Sequence, residues 1–336
     1  MHLELMARRR VEAWLDQGRL AGLAVEALTA PLVLARSDRR VALPVRVPTV
    51  GVVGALLGGS GSTPVAIACV EHLCGLGVPT TLIGHGYGGA VTAPRLVSPL
   101  ASARAVGDEA VVASRALAHV EGASVAVGPT RACAAVFAVA HGAQALVLDG
   151  RRGEARGAPS LSVLARPPGP RPLTSVLAAR VDETVIVGLP GAESLELVGA
   201  AQDLAAVARA RLRYGLATAV GRPSRVVLAL RAAGSAPCVT LALGNHGALT
   251  PFDEARAAEL VAAHGLDLWV ATEKGPLLDA VELGGRPVAL LRHRVALPDA
   301  LRRRLGWLVR ELAAAAPRPP PAAGVDPNGP RPTGGG

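Results

Sequence analysis

A glycine-rich loop between an apolar run and a helical run constrains the fold of this 336-residue chain most strongly. The β-branched run 47–53 is followed by Gly58-Gly59-Ser60-Gly61-Ser62-Thr63, and helical spacing begins at Pro64. This order is typical of loops in which backbone N–H groups at a helix N-terminus hold a phosphate. The usual pattern has lysine where Ser62 stands, so the loop predicts a nucleotide fold that lacks its usual cation. A glycine-rich turn without a ligand is the alternative.

The rest of the chain alternates short β-branched runs with helical runs. In the first block we predict strands at 49–53, 80–83, 124–127 and 145–148, and helices at 64–76, 108–118 and 130–141. A long surface loop is expected at 151–172, then a strand at 183–187 and a helix at 195–213. A second block predicts strands at 216–220, 238–243, 266–271 and 287–291, with helices at 223–233, 251–264 and 298–314. The alternation predicts an α/β fold: a P-loop-type, mostly parallel sheet flanked by helices, with a second, smaller α/β lobe.

These patterns divide the chain into four segments. We predict an N-terminal amphipathic helical segment at 1–40, a lobe built around the P-loop at 41–187, a second α/β lobe at 188–316 and a disordered Pro/Gly tail at 317–336. The arginine-flanked N-terminal helix could lie on an anionic membrane or pack on its own domain.

Charge and cysteine usage narrow the function classes. The net charge is +9, and a basic surface could serve nucleic acid, anionic lipid or phosphorylated substrates. No Lys/Arg run is interleaved with aromatic residues and no zinc-finger spacing occurs, so we expect no nucleic-acid partner. Without a CxxC pair, the cysteines are predicted to be small buried core residues in a reducing compartment; they are Cys69, Cys74, Cys133 and Cys238.

Several short segments add to the glycine-rich loop, and their order is informative. The sequence reads GGSGSTP, HGYGG, VGDE, LDG, GRP, NHGALT and ATEKG, and the acidic Asp149 ends a strand as a Mg²⁺-binding residue would. The chain thereby resembles the tetraacyldisaccharide 4′-kinase family over about residues 20–312. Members of that family read GGTGKTP, RGYGG, VGDE, LDDGxQH, GRP, DHHxxT and TTEKD in the same order.

The resemblance implies a reaction and a set of residue roles. ATP, with Mg²⁺, would phosphorylate the 4′-hydroxyl of a tetraacyl glucosamine disaccharide during lipid A biosynthesis. The partner would be this acylated lipid, with peripheral contact through the N-terminal helix at the cytoplasmic face of the bacterial inner membrane. Asp108 would be the general base and His246 its partner, and Thr63 and Asp149 would hold Mg²⁺. The phosphate loop would comprise Gly58, Gly59, Ser60, Gly61, Ser62 and Thr63.

Departures from the family pattern leave two functions open. Ser62 replaces the loop lysine, Gly150 the second acidic residue of the metal pair and Gly275 a further aspartate. Losing one preorganised donor typically costs about 3–4 kcal/mol, or roughly 10²–10³ in rate. The chain is therefore either an active, divergent lipid kinase or an inactive homologue that binds nucleotide or lipid precursor as a scaffold or regulator. Arg151 or Arg152 could supply the missing charge, although they could equally be solvated loop arginines.

Taken singly, the site residues also have structural interpretations. Asp108 could stabilise a helix N-terminus, His246 could lie in a loop or cap, and Asp149 could belong to a turn at a strand end.

Overall fold

A computed structural model of the chain describes residues 31, 40–55, 60–84, 86, 89–168, 177–178, 180–188, 193–199, 203–220, 223–243 and 249–315. Three predicted features lie outside these residues: the N-terminal helix apart from Pro31, the Pro/Gly tail, and the site residues Gly58, Gly59 and His246.

The first lobe is built on a seven-stranded sheet. In spatial order its strands are β4 (Arg95–Leu96), β5 (Ala123–Val127), β3 (Thr80–Ile83), β6 (Ala145–Asp149), β2 (Thr49–Gly54), β8 (Ser160–Arg166) and β9 (Glu183–Ile186). Neighbouring strands are parallel except β4, which runs antiparallel to β5. The predicted mostly parallel sheet is confirmed.

Helices cover both faces of this sheet because alternate strand residues point to opposite sides. The helices are α1 (Ser62–Gly75), α2 (Ala103–Val106), α3 (Asp108–Leu117) and α4 (Arg131–Ala140). Val147 of β6 belongs to one apolar cluster with residues of α1 and α3. Its neighbours Leu146 and Leu148 belong to another, with α4 and strand β1 (Arg40–Leu43).

A short strand crosses closely over the middle of the sheet. Strand β7 (Arg152–Ala155) pairs in parallel with β1. A Cβ placed on Gly51 of β2 would lie 2.7 Å from the carbonyl oxygen of Arg151 and from Cα of Arg152. Only glycine at position 51 allows the backbone to come this close. The chain therefore turns back beyond β6 and runs over Gly51 of the sheet.

The second lobe has a six-stranded mixed sheet. Its path is β10 (Glu193–Gly199), β15 (Arg286–Val295), β13 (Leu268–Thr272), β11 (Tyr214–Thr218) and β12 (Val239–Ala242), and β14 (Glu282–Leu283) also pairs with β15. Its helices are α5 (Leu204–Arg209), α6 (Pro223–Ala232) and α7 (Pro251–His264). Local sequence sets the ends of α7, because Thr250 and Asp253 form a capping box and Gly265 ends the helix in the left-handed conformation.

The last helix, α8 (Asp299–Ala315), returns to the first lobe. Its buried side chains Leu301, Leu305 and Leu308 join the apolar cluster that contains α1 and α3. Arg304 also pairs with Glu183 of β9, at 2.6 Å. Within the parts of the chain that the structure describes, no helix is both long and apolar enough to cross a membrane.

Three sequence-based expectations were wrong. The surface loop expected at 151–172 instead contains β7 and β8, and β8 is an inner strand whose residues 163–165 are buried. The helix expected at 195–213 is strand β10 followed by the short α5, because pairing with β15 overrides the helix propensity of Leu and Glu. Of the cysteines, Cys69 is buried and Cys74 half-buried, whereas Cys133 and Cys238 are exposed.

Candidate functional site

A hydroxyl and a carboxylate meet where the glycine-rich loop faces the end of β6. Thr63, in the first turn of α1, donates from Oγ1 to Oδ2 of Asp149 over 2.6 Å. Asp149 is 4% exposed and ends β6, which lies directly beside β2. Since parallel strands bring their carboxyl ends to one edge of a sheet, both residues predicted to hold a metal lie together at this edge.

The start of α1 is suited to an anion. Gly61 has φ 80°, and a Cβ there would lie 2.5 Å from Cγ1 of Val187, so this position requires glycine. Among the described residues, no side chain caps the helix at Gly61. Ser62 is partly exposed and begins the helix. The first-turn N–H groups and the helix dipole therefore face the edge where Asp149 ends its strand.

Asp108 joins the two lobes. It is 6% exposed and begins α3, where its Oδ1 accepts from the backbone N–H of Glu109 over 3.0 Å. Its Oδ2 accepts from the backbone N–H of Gly275, in the second lobe, over 3.2 Å. Next to this contact, Lys274 Nζ lies 3.1 Å from Oε1 of Glu109. The VGDE and TEKG segments thus meet, although more than 160 residues separate them.

A buried ion pair holds the TEKG segment in place. The Glu273 side chain is 6% exposed, and its two oxygens accept from Arg292 Nη2 and Nε over 2.8 and 3.1 Å. A bidentate pair of this kind fixes orientation as well as charge. It therefore anchors the strand end from which Lys274 and Gly275 reach α3.

Gly86 and Gly89 lie against the backbone of the VGDE segment. A Cβ on Gly89 would lie 2.6 Å from the nitrogen of Gly107. Gly86, Gly107, Glu109 and Asp149 are among the residues that line a pocket of about 10 Å³, room for about one water molecule. Glu109 lines this pocket but was not predicted as a site residue, and its place next to Asp108 in VGDE was the available signal.

A cation that sequence reasoning missed lies at the same edge. Arg131, the first residue of α4, donates from Nη2 to the backbone carbonyl of Asp149 over 2.9 Å. The arginines considered from sequence, Arg151 and Arg152, instead follow the chain back over Gly51, and Arg152 is buried. Nothing in the sequence around Arg131 pointed to this contact, because α4 follows β5 and the fold alone brings its first residue to β6.

The hydroxyl and carboxylate at this edge would fit a magnesium ion. In the described part of the chain, no three His, Cys, Asp or Glu side chains form a cluster that could hold a metal by themselves. Mg²⁺ needs few protein ligands when water and phosphates complete its coordination. The adjacent hydroxyl of Thr63 and carboxylate of Asp149 are ligands of that kind, whereas Gly150 offers none.

Comparisons with known proteins identify a family to which the chain is similar. A family model described as tetraacyldisaccharide-1-P 4′-kinase (LpxK) matches residues 21–150. The tetraacyldisaccharide 4′-kinase of Methylobacterium sp. (strain 4-46) is 33% identical over 314 residues, which is 83% of this chain and 90% of that relative. The corresponding protein of Rhodopseudomonas palustris (strain BisB5) is 33% identical over 312 residues, covering 81% and 87%.

A solved structure shows the same fold. LpxK from Aquifex aeolicus, crystallised in complex with ATP, superposes with a TM-score of 0.54 at 14% identity, covering 86% of this chain and 99% of that one. On the strength of the sequence relatives, this chain belongs to the tetraacyldisaccharide 4′-kinase family.

Proposed function

We propose that this chain transfers the γ-phosphate of ATP to the 4′-hydroxyl of a tetraacyl glucosamine disaccharide, a step of lipid A biosynthesis. One observation carries the proposal: the 2.6 Å contact between Thr63 and Asp149 joins the glycine-rich loop to the acidic strand end. Family membership supplies the reaction class, and a relative of the same fold was crystallised with ATP.

The nucleotide phosphates would bind at the start of α1. The loop from Gly58 to Thr63 would surround them with backbone N–H groups, which needs no side-chain charge. Thr63 and Asp149 would hold Mg²⁺, which when bound neutralises charge on the transferred phosphoryl group.

Asp108 would act as the general base toward the sugar hydroxyl. Each of its oxygens accepts one backbone N–H, and these two hydrogen bonds fix the orientation of the carboxylate. The hydroxyl proton would pass to this carboxylate as the oxygen attacks the γ-phosphorus, the bond to the β–γ bridging oxygen breaks and ADP leaves. The family pattern gives His246 the role of orienting Asp108.

Arg131 would replace part of the charge that Ser62 lacks. Its guanidinium is bonded to the carbonyl of the residue whose carboxylate contacts Thr63. A cation held there stabilises developing phosphate charge, though less than one in direct contact, because Coulomb energy falls with distance.

The lipid substrate implies contact with a membrane. We propose peripheral attachment through the N-terminal segment at the cytoplasmic face of the bacterial inner membrane. The net charge of +9 supports attraction to anionic headgroups.

Radiolabelled phosphate transfer from ATP to the acylated disaccharide in detergent micelles tests the proposal. We expect wild-type transfer to fall at least 10²-fold in Asp108→Asn and in Asp149→Asn, since each removes a charged group at the reacting centre. Glu259→Gln is the control, because Glu259 is an exposed residue of α7 paired only across the helix surface with Arg256 among the contacts described. A wild-type chain that binds ATP in calorimetry but transfers no phosphate would instead be the inactive homologue.

A further inference from the structure

Two aliphatic side chains project into solvent near the junction of the lobes. Leu100 is 92% exposed and Val281 is 83% exposed. Scattered exposed apolar residues are ordinary in proteins, so exposure by itself indicates no function. The way in which the backbone holds these two residues is more informative.

A hydrogen-bonded turn presents Leu100. The nitrogen of Ala101 donates to the Ser98 carbonyl over 2.9 Å, and the nitrogen of Leu100 donates to Ser98 Oγ over 3.2 Å. Val97 directly precedes Ser98, and its backbone carbonyl accepts from Ser114 Oγ of α3 over 2.6 Å. Leu100 therefore projects from a turn that is attached to α3.

One guanidinium connects this turn to the second lobe. Arg115 of α3 donates from Nε to the Pro99 carbonyl over 3.0 Å and from Nη1 to the Leu278 carbonyl over 2.8 Å. Its Nη2 also pairs with Asp279 at 2.6 Å. The residue before Leu100 and the segment just before Val281 are thus held by the same side chain.

Asp108, the proposed general base, lies on the same helix as Arg115. Asp108 and Arg115 are seven residues apart on α3, or about 10 Å along its axis. The segment 90–107 that carries Leu100 contains no acidic residue, while Arg95 and Arg104 are exposed on it. An apolar turn with cations beside it matches an amphiphile that has acyl chains and a phosphorylated sugar head.

We propose that Leu100 and Val281 contact an acyl chain of the lipid substrate while its sugar lies at Asp108. This rests on the proposed function, because the disaccharide must approach Asp108 for its acyl chain to follow α3 toward Arg115. Both lobes would then contact the acyl chain. Both lobes also contribute to the hydrogen bond from Gly275 to Asp108 and to the ion pair between Lys274 and Glu109.

Equilibrium binding of radiolabelled tetraacyl disaccharide to the full chain, in mixed micelles at fixed lipid mole fraction, tests this contact. We expect the double variant Leu100→Ser with Val281→Ser to bind the lipid about tenfold more weakly. The methylene groups of the acyl chain would lose their apolar partners on the protein and stay in contact with water. Binding of the deacylated disaccharide phosphate and of ATP should not change. Leu228→Ser, at a residue of α6 that is 59% exposed, is the matched control and should bind as the wild type does.

Several results would overturn the inference. The double variant could bind the acylated disaccharide with wild-type affinity, or it could lose as much affinity for the deacylated sugar as for the acylated one. The wild-type protein could also fail to bind the acylated disaccharide. Loss of binding to lipid vesicles alone, with micelle binding intact, would mean that the residues contact the bilayer and not the substrate. Because binding needs no turnover, a chain that binds the acylated disaccharide through Leu100 but transfers no phosphate would refute the proposed function and leave this inference standing.

Discussion

Restoring the loop cation with Ser62→Lys should raise the rate of phosphate transfer. Ser62 begins α1 and is partly exposed, so a lysine side chain has room to extend over the loop. A cation in direct contact with the transferred phosphate is worth roughly 10²–10³ in rate. Since Arg131 already lies at the same edge, we expect a smaller gain of about tenfold in the otherwise wild-type chain.

A double-mutant cycle separates the two cations. Arg131→Ala alone should lower the rate, and Ser62→Lys should restore more in that background than in the wild type. Ser62→Gln is the control, because it adds a similar length without charge. Lysine at a helix N-terminus opposes the dipole by about 0.3–1 kcal/mol, so thermal unfolding should accompany the kinetics.

The measurement is the initial rate of radiolabelled phosphate transfer at saturating ATP. No gain from Ser62→Lys in either background, with ATP binding intact, would refute the assignment of this loop to the transferred phosphate. An equal gain in both backgrounds would show that Arg131 does not share the role.

Three further outcomes follow from the fold. Gly51→Ala should lower the free energy of unfolding, measured in urea, by about 1–3 kcal/mol, because the new Cβ would lie 2.7 Å from Cα of Arg152 in β7. Gly75→Ala is the control and should not lower the free energy of unfolding, because a Cβ at Gly75 has no neighbour within 4 Å. A thiol reagent should label Cys133 in the native chain and not Cys69, since burial raises the pKa of Cys69 to about 12, and labelling of Cys69 first would contradict this. Burial lowers the pKa of His72 from its ordinary 6.5, so the unfolded chain binds more protons just below that pH. Stability should therefore fall as pH drops from 6.5 through the folded pKa, and His72→Gln should flatten this part of the pH profile of unfolding.

Much of the fold was predictable because periodicity and capping are local. The alternation after Val47 predicted the parallel sheet, and the ends of α7 agree with Pro251 and Gly265 in the sequence. Strand β8 was missed because its flanking Gly, Pro and Arg residues are typical of loops, whereas its burial depends on β2 and β9 on either side. Strand β10 was taken for a helix because its Leu and Glu residues favour one until a neighbouring strand is present.

The site was predicted in part for a similar reason. Thr63 and Asp149 each end a recognisable local pattern, so their meeting follows from parallel strands. The hydrogen bonds from Gly275 to Asp108 and from Arg131 to Asp149 depend on tertiary structure, so no local sequence pattern predicts them. His246 lies outside the described residues, so its pairing with Asp108 stays a prediction.

The contact between Lys274 and Glu109 gives the molecule a natural reporter. Lys274 is the only lysine among 34 arginines, and it lies where the two lobes meet. An amine-directed reagent therefore has a single side-chain target, and while the ammonium is paired with Glu109 its reaction must wait for that contact to open. The speed of labelling would measure how often the contact between Lys274 and Glu109 opens, and its slowing by ATP or lipid would measure how far each ligand keeps that contact closed, without any engineered residue.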